Sequence, residues 1–349
     1  MEHLTLTPPA SKVPPTDIIV GSGAIKTLHI SLDAFPGHRP VIVYDKGVTD
    51  IARAIGGSVP HPLLIPVSSG DQSKSLSEVD RIVSQMLVGG CTRSSVLIAI
   101  GGGMTTDLGG FVASVFMRGI PSILIPTSSL AMVDAGIGGK TAVNVGGRKN
   151  MIGTISHPSS VLVDIDFLAK LPDEPFREGL AEVVKIAAIM DSDFFAWLSD
   201  NLTYVIAREK VVLTECIARA IKLKVEVVES DDADKGARLL LNFGHTIGHA
   251  IEALSRYKLS HGEAISIGMA LEMKATDFNE ADQVTALLQS LGLPTEIPKK
   301  WRTPEELWKL MLTDKKNSVG VVRAAVPDTI GTGSVVTLRK DAFLSLFDA

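Results

Sequence analysis

Short runs of β-branched residues alternate with helix-like segments through the first half of the chain, and this alternation limits the possible folds most. The helical period is clear in Ser75–Val88, where apolar residues recur every three or four positions. Strands that alternate with helices form a parallel sheet, and ligands bind outside the carboxyl ends of its strands. The predicted strands are Asp17–Val20, Pro40–Tyr44, Leu63–Val67, Val96–Ile100, Ser122–Ile125 and Val161–Val163.

From about Phe176 onwards the sequence shows long helical patterns and few strand signals. The segment Thr154–Glu174, which contains two prolines, separates the two patterns. We therefore predict an α/β parallel-sheet domain over residues 1–172 and an all-α domain over residues 173–349. The predicted helices of the second domain are Glu178–Met190, Lys210–Ser230, Arg238–Ser255, Gly262–Asn279 and Glu305–Leu312.

The composition argues against several classes of protein. A chain of 349 residues with 45% hydrophobic and 21% charged residues is long enough for two globular domains. Its net charge of −5 disfavours a nucleic-acid partner, which needs a basic surface. We expect no membrane span, since the apolar runs are too short, and no secretory signal, since a basic start and apolar core are lacking. Cys91 and Cys216 lack metal-ligand spacing, so we expect reduced thiols in a cytoplasmic protein.

A glycine-rich loop follows one predicted strand and leads into a helix. Gly101–Gly103 would let backbone N–H groups approach the pyrophosphate of a dinucleotide, although a triplet alone fits a tight turn without a ligand equally well. Asp45 ends a neighbouring strand, where a carboxylate can hold ribose hydroxyls and would repel a 2′-phosphate. Gly70–Lys74 adds polar groups that also fit a helix cap or a solvated turn. The combination favours NAD over NADP.

Three of the eight histidines, His245, His249 and His261, fall within seventeen residues. His245 and His249 are four residues apart and share one helix face. Glu182 lies in an otherwise apolar helix, where a carboxylate is costly unless it is paired or bound to a cation. Lys185 could pair with it in a purely structural ion pair. Two histidines and one carboxylate with an open position are the pattern of a catalytic zinc site.

The segment Gly138–Thr141 resembles a P-loop only superficially, because Asp134 stands where the first glycine is required. Nucleotide hydrolysis is therefore rejected, although glycines followed by Lys149 and Asn150 suit an anionic ligand. Several basic residues could converge on the same cleft, and by periodicity alone each also fits a surface charge: Arg118, Lys185, Lys224, Arg238, Lys315 and Lys316.

Eight motifs follow one another in order through most of the chain. They are GGGMTTD at Gly101–Asp107, MRG at Met117–Gly119, LAMVDAGIGGKTAVN at Leu130–Asn144, RKNMIG at Arg148–Gly153, GLAEVVK at Gly179–Lys185, LNFGHTIGHAIE at Leu241–Glu252, HGEA at His261–Ala264 and DKK at Asp314–Lys316. Together they resemble the sugar phosphate cyclases, and most closely the 3-dehydroquinate synthase family. Several long motifs in one order are a more specific signal than any single motif.

The resemblance implies a dehydroquinate synthase-like fold, with an NAD-binding α/β domain over residues 1–172 and a helical metal- and substrate-binding domain over residues 173–349. It implies NAD, a divalent metal (zinc, with cobalt as an alternative) and a homodimer. The implied substrate is a phosphorylated sugar acid, 3-deoxy-arabino-heptulosonate 7-phosphate, and the product is 3-dehydroquinate of the shikimate pathway. Phosphate leaves and NAD is regenerated, so the enzyme is a lyase with no net oxidation.

The resemblance also implies a role for individual residues. The metal ligands are Glu182, His245 and His261, and the catalytic base is His249. The residues facing substrate hydroxyls are Asp134, Lys185, Lys224 and Asn242. The residues holding phosphate and carboxylate are Lys140, Asn150, Arg238, Lys315 and Lys316, and Arg118 reaches the active site of a neighbouring subunit. The NAD contacts are Asp45, Asp71, Lys74, Gly102, Gly103, Asp107, Thr127, Ser128 and Lys149.

Some positions depart from the synthase pattern. Thr106 replaces a usual glycine, Asp234 a usual glutamate, and Val145–Arg148 a usual His-Pro stretch. Asp134–Gly136 looks more like the cyclases that take sedoheptulose 7-phosphate, whereas Arg238 suits a carboxylated substrate. Three alternatives stay open: a sedoheptulose 7-phosphate cyclase, a metal-dependent alcohol or polyol dehydrogenase, and a catalytically inactive NAD-binding regulator.

Overall fold

The computed structural model describes residues 15–230, 236–312 and 321–347. Its strands are β1 (Asp17–Gly21), β2 (Arg39–Asp45), β3 (Leu63–Val67), β4 (Ser95–Gly101), β5 (Ser122–Pro126), β6 (Lys140–Val145), β7 (Arg148–Ile155), β8 (Ser160–Asp164), β9 (Val322–Thr329) and β10 (Thr332–Leu338). Its α-helices are α1 (Leu28–Asp33), α2 (Thr49–Gly57), α3 (Leu76–Val88), α4 (Gly103–Val115), α5 (Asp173–Met190), α6 (Ser192–Ile206), α7 (Lys210–Ser230), α8 (His245–Leu254), α9 (His261–Ala275), α10 (Ala281–Ser290), α11 (Pro304–Leu312) and α12 (Lys340–Ser345).

Six strands form one sheet in the order β1-β8-β5-β4-β2-β3, and all neighbours pair in parallel. Each of the six predicted strands is one of these, so the parallel-sheet prediction is confirmed. The carboxyl ends of β3, β2, β4 and β5 stand side by side along one edge, where open α/β sheets bind their ligands.

The two faces of the sheet are covered by different helices. Alternate residues of a strand point to opposite faces, and Leu97 and Ala99 of β4 pack into the cluster that includes α3 and α4. Val96 and Ile98 of the same strand pack into the cluster that includes α1 and α2. Because both faces are buried, the central strands are continuous apolar runs rather than alternating ones, as the sequence showed.

The second half is mainly helical, as predicted, but the structure differs from the prediction in several places. The helices α6, α10 and α12 were not predicted. Arg238–Ser255 is not one continuous helix: a 3-10 turn covers Ala237–Asn242, and α8 begins at His245. Gly244 between them has a φ of 76°, a left-handed conformation that interrupts an α-helix. The antiparallel hairpin β9–β10 also lies in this half and was not predicted.

The predicted domain boundary between residues 172 and 173 falls where α5 begins. It stays a prediction, because helices of the second half share one apolar cluster with one face of the sheet. Across the described ranges, every helix is too short or too polar to cross a bilayer.

Candidate active site

The glycine-rich loop joins β4 to α4, as predicted. A Cβ atom on Gly101 would lie 2.6 Å from Thr105 Oγ1, so a side chain is sterically excluded there, and one on Gly103 would be crowded at 3.0 Å from the Ala135 Cβ. Gly102 is the N-cap residue of α4 and has no side chain with which to cap it. The first N–H groups of this helix are therefore open to an anion such as a pyrophosphate.

Residues predicted to contact NAD gather at the same edge. Asp45 ends β2, and its Oδ1 accepts hydrogen bonds from the Gly47 N–H at 2.7 Å and from the Ser69 hydroxyl. Thr127 follows β5, and its N–H donates to the Gly101 carbonyl at 2.8 Å. The six that lie at the carboxyl ends of β2, β3, β4 and β5 are Asp45, Asp71, Gly102, Gly103, Thr127 and Ser128.

Lys74 contacts two other residues that are predicted to bind ligands. Its ammonium donates to Asp107 Oδ2 at 2.5 Å and to Asn150 Oδ1 at 2.5 Å. Burial raises the pKa of Asp107 to about 6, against the opposing effect of Lys74. Asn150, which the resemblance assigns to phosphate, thus lies beside Lys74 at the strand ends.

A buried carboxylate faces two imidazoles at the centre of the helical half. Glu182 of α5 places Oε1 3.2 Å from His261 Nε2 and 3.6 Å from His245 Nε2. One potential ligand atom of each residue lies within 4.8 Å of the others. The helices α5, α8 and α9 thus bring together the three residues predicted as metal ligands.

The second nitrogen of each ring has its own partner. His245 Nδ1 lies 3.1 Å from the carbonyl of Phe243, and His261 Nδ1 lies 3.4 Å from Glu252 Oε2. A metal-binding histidine commonly donates its other N–H to a carbonyl or carboxylate in this way. Burial lowers the pKa of His261, but hydrogen bonds to Glu182 and Glu252 raise it to about 10. A divalent cation would replace the proton on Nε2, so the donor set fits a metal.

Glu182 also pairs with Lys185, whose ammonium contacts Oε2, and each residue is only 3% exposed. Burial alone would raise the pKa of Glu182, but Lys185 and His261 hold it well below its usual range. The carboxylate is therefore charged at neutral pH, with Oε2 toward the ammonium and Oε1 toward the imidazoles. The ion pair and the histidine cluster coexist rather than exclude each other.

Asp134 and Lys224 form a second buried pair. Asp134 lies in a π-helical turn, and the Lys224 ammonium contacts its carboxylate and, at 2.5 Å, its backbone carbonyl. Burial would raise the pKa of Asp134, but Lys224 lowers it to about 2. Burial lowers the pKa of Lys224. Two of the four residues predicted to face substrate hydroxyls are thus held in place by one another.

His249 stands one turn after His245 on α8. Its ring centroid lies 5.1 Å from that of His245 and 6.3 Å from that of His261. The predicted base therefore lies beside the three-residue cluster.

The remaining predicted site residues lie on several separate elements. Arg238 is buried and donates to the Gly138 carbonyl at 3.2 Å, whereas Lys140 is exposed at the start of β6. Asn242 ends the 3-10 turn before α8 and donates to the Leu239 carbonyl at 3.0 Å. Arg118 is exposed at the far end of α4, about 20 Å from the glycine-rich loop at 1.5 Å per helical residue. Asp234, Lys315 and Lys316 lie outside the described residues.

Two carboxylates that the sequence did not single out support the site. Glu252 bonds to His261. Its position in the sequence could have indicated this role, because it follows His249 by three residues and lies on the same helix face. Glu272 of α9 bonds to backbone N–H groups at the start of α8, and its sequence position carried no such signal.

Family models match most of the described chain. The 3-dehydroquinate synthase N-terminal model matches residues 64–178, and the 3-dehydroquinate synthase C-terminal model matches residues 179–317. The chain belongs to the 3-dehydroquinate synthase family. Family membership confirms the resemblance and makes the chain an enzyme. A 3-dehydroquinate synthase of Thermodesulfovibrio yellowstonii is 44% identical over 277 residues, which is 77% of each chain.

Solved structures agree with this family and fold. The chain resembles 2-epi-5-epi-valiolone synthase from Streptomyces hygroscopicus, solved with NAD⁺ and Zn²⁺, with a TM-score of 0.88, 27% identity and coverage of 97% and 98% of the two chains. It also resembles 2-deoxy-scyllo-inosose synthase, solved with carbaglucose-6-phosphate, NAD⁺ and Co²⁺, with a TM-score of 0.84, 26% identity and 95% coverage of each.

Proposed function

We propose that the chain converts 3-deoxy-arabino-heptulosonate 7-phosphate into 3-dehydroquinate and phosphate, with catalytic NAD and a divalent metal. One observation carries the proposal: a buried, ionised Glu182 faces the Nε2 atoms of His245 and His261. Family membership and the glycine-rich strand end support it. The shikimate pathway and a cytoplasmic location follow from this activity, and the two buried free cysteines agree with a reducing compartment.

Glu182, His245 and His261 are the proposed metal ligands, and two imidazoles with one carboxylate favour zinc, with cobalt as an alternative. A bound cation would acidify a substrate hydroxyl, and bound NAD⁺ would take up and return a hydride, so that no net oxidation occurs. The protein supplies the orientation. The proposed NAD contacts are those at the strand ends, together with Lys74, Asp107 and Lys149.

His249 is the proposed base, since it lies beside the cluster and histidine is the side chain that most often acts as a general base. Lys185, Lys224 and Asp134 are proposed to bind substrate hydroxyls. Lys224 pairs with Asp134, and Lys185 pairs with Glu182. These ion pairs keep the side chains fixed, which lowers the entropic cost of orienting the substrate. Asn242, on the turn leading into α8, is proposed to join them.

The substrate would carry a carboxylate and a phosphate, and both need cations. Arg238 is proposed to bind one of them, because its guanidinium is buried and rigidly held beside Gly138. Lys140, Asn150, Lys315 and Lys316 are proposed to complete this set. An arginine on the carboxylate would distinguish the heptulosonate from sedoheptulose 7-phosphate, which lacks that group.

We also propose a homodimer. Two apolar residues on one face of β7, Met151 and Ile155, are 49% and 55% exposed. Such a patch is typical of a surface that another chain covers. Arg118, remote from the strand ends of its own chain, is proposed to reach the active site of the second subunit.

Phosphate release from purified substrates tests the function. We expect release from the heptulosonate phosphate, dependent on a divalent metal and on substoichiometric NAD⁺, without net NADH. Release from sedoheptulose 7-phosphate alone would overturn the substrate assignment. Stoichiometric NADH with an alcohol or polyol would instead indicate a dehydrogenase, and an absence of bound metal would indicate an inactive NAD-binding regulator.

A further inference from the structure

Glu252 of α8 bridges two predicted ligand-binding groups. Its Oε2 lies 3.4 Å from His261 Nδ1, and its Oε1 lies 3.2 Å from the Lys149 ammonium. The residue is 4% exposed, so both contacts are largely shielded from solvent. Neither sequence motifs nor family membership gives this carboxylate a role.

The first contact orients His261. An Nδ1–H that donates to Glu252 leaves Nε2 directed at Glu182 Oε1, 3.2 Å away. A negatively charged acceptor on Nδ1 also increases the basicity of Nε2, which strengthens a bond to a cation.

The second contact orients Lys149. This lysine lies on β7, and its ammonium also contacts Asp71 Oδ2 at 2.8 Å, beyond the end of β3. Its Nζ stands 4.4 Å above the ring of Tyr257. Glu252 is therefore the point at which a hairpin beside the sheet edge is joined to the helix that carries His245 and His249.

We propose that Glu252 is a positioning residue that orients His261 toward the metal and Lys149 toward the dinucleotide. The inference rests on the proposed function, in which these two residues serve metal and NAD. One carboxylate then supports both binding sites, and its loss weakens both.

A cation held directly by Glu252 is the competing arrangement, since His249, Glu252 and His261 also offer three ligand atoms close together. It would require His261 to bind through Nδ1 and would take Glu252 from Lys149. The Nε2 of His261 would then face Glu182 with no cation between them. The geometry favours the positioning role, because it satisfies both oxygens of Glu252 at once.

Co²⁺ binding to the metal-free full-length protein tests the proposal without turnover. In Glu252→Gln we expect Co²⁺ affinity to fall about tenfold to a hundredfold, with an altered visible d–d spectrum. NAD⁺ affinity should also fall. Lys149→Met should weaken NAD⁺ binding while leaving the Co²⁺ affinity within about threefold of wild type, because His261 keeps its partner.

The double variant separates direct from indirect effects. If Glu252 acts on NAD⁺ through Lys149, adding Glu252→Gln to Lys149→Met should leave the NAD⁺ affinity unchanged. Glu252→Asp, which keeps the charge but shortens the reach, gives a second variant if Glu252→Gln is unstable, and its Co²⁺ affinity should also fall. Glu215→Gln removes an exposed ion pair with Arg219 on α7 and is the matched control, expected to behave as wild type.

A Co²⁺ affinity in Glu252→Gln within about threefold of wild type would refute the positioning role. A loss as complete as that of His261→Ala would make Glu252 a ligand and refute it too. Wild-type protein that binds no Co²⁺ would instead count against the proposed metal site.

Discussion

Glu272 of α9 accepts a 2.6 Å hydrogen bond from the backbone N–H of Gly244, the residue immediately before α8. Its other oxygen accepts from the Ile247 N–H at 3.0 Å. A fully buried carboxylate of one helix thus caps the N-terminus of another, where the first N–H groups would otherwise lack partners. Since His245 is the first residue of α8, the same contact fixes the start of the helix that carries the histidines.

Glu272→Ala should therefore lower the free energy of unfolding by about 3 kcal/mol, because it leaves two buried N–H groups without their carboxylate acceptor. Urea unfolding measures the change. Glu226→Ala, at an exposed position of α7, should change stability by less than about 0.5 kcal/mol. Equal effects in the two variants would show that the cap contributes nothing.

Gly268 of α9 permits the close approach of α8. A Cβ atom there would lie 2.0 Å from the Gly244 carbonyl oxygen and 2.8 Å from the Gly248 nitrogen, both backbone atoms. Gly268→Ala should destabilise the protein by about 3 kcal/mol or more, although alanine is the better helix former. Thermal or urea unfolding would detect the loss.

Gly57 provides the matched control, since a Cβ atom there meets nothing within 4 Å. Gly57→Ala should leave stability unchanged or raise it by about 0.5 kcal/mol. A Gly268→Ala protein as stable as wild type would mean that the two helices can separate at little cost.

The sequence predicted the sheet well, because buried parallel strands are unbroken β-branched runs that local patterning detects. The prediction of one continuous helix over Arg238–Ser255 was wrong, because apolar periodicity continues across the break at Gly244. Glu272 also binds the backbone at this break, but it lies more than twenty residues later in the sequence and makes the contact only once α9 packs on α8. For β9–β10, a signal was present in the valine-rich runs Val321–Val326 and Val335–Val336 on either side of Gly331.

The candidate site, like the fold, was predicted only in part from the sequence. Spacing alone placed His245 and His249 on one helix face, but it could not say which would face Glu182. The motif resemblance selected His245 and His261, and the structure brings these two toward the carboxylate. Glu252 follows His249 by three residues, but spacing could not show its contacts to Lys149 and His261, which lie on separate elements and depend on packing.

His245 and His249 have different surroundings, so replacing each of them should have a different effect on metal content and on activity. His245→Ala removes an imidazole whose Nε2 faces Glu182, so bound metal should be lost. His249→Ala should keep its metal but lose phosphate release by at least about a hundredfold, because it removes a base rather than a ligand. Elemental analysis of dialysed protein and the phosphate assay measure the two effects. Equal metal loss in both variants would mean that the two roles are wrongly assigned.

The Asp134–Lys224 pair predicts a pH dependence of stability in the ligand-free protein. Lys224 lowers the pKa of Asp134 from an ordinary value near 3.8 to about 2. The folded-state pKa is depressed, so the pair stabilises the fold above about pH 4, and this contribution is lost as the pH falls toward 2. Asp134→Asn should cost about 2 kcal/mol at neutral pH, since it leaves the buried Lys224 ammonium without its paired carboxylate.

The difference between wild type and Asp134→Asn should therefore shrink as the pH is lowered from about 4, as measured by urea unfolding at several pH values. Asp200→Asn, at an exposed position of α6, should show a difference near zero at every pH. A penalty for Asp134→Asn that stays constant down to the acid limit would argue that it arises from lost packing or hydrogen bonding. The charge of Asp134 would then contribute little, and Lys224 would have to be stabilised by other groups around it.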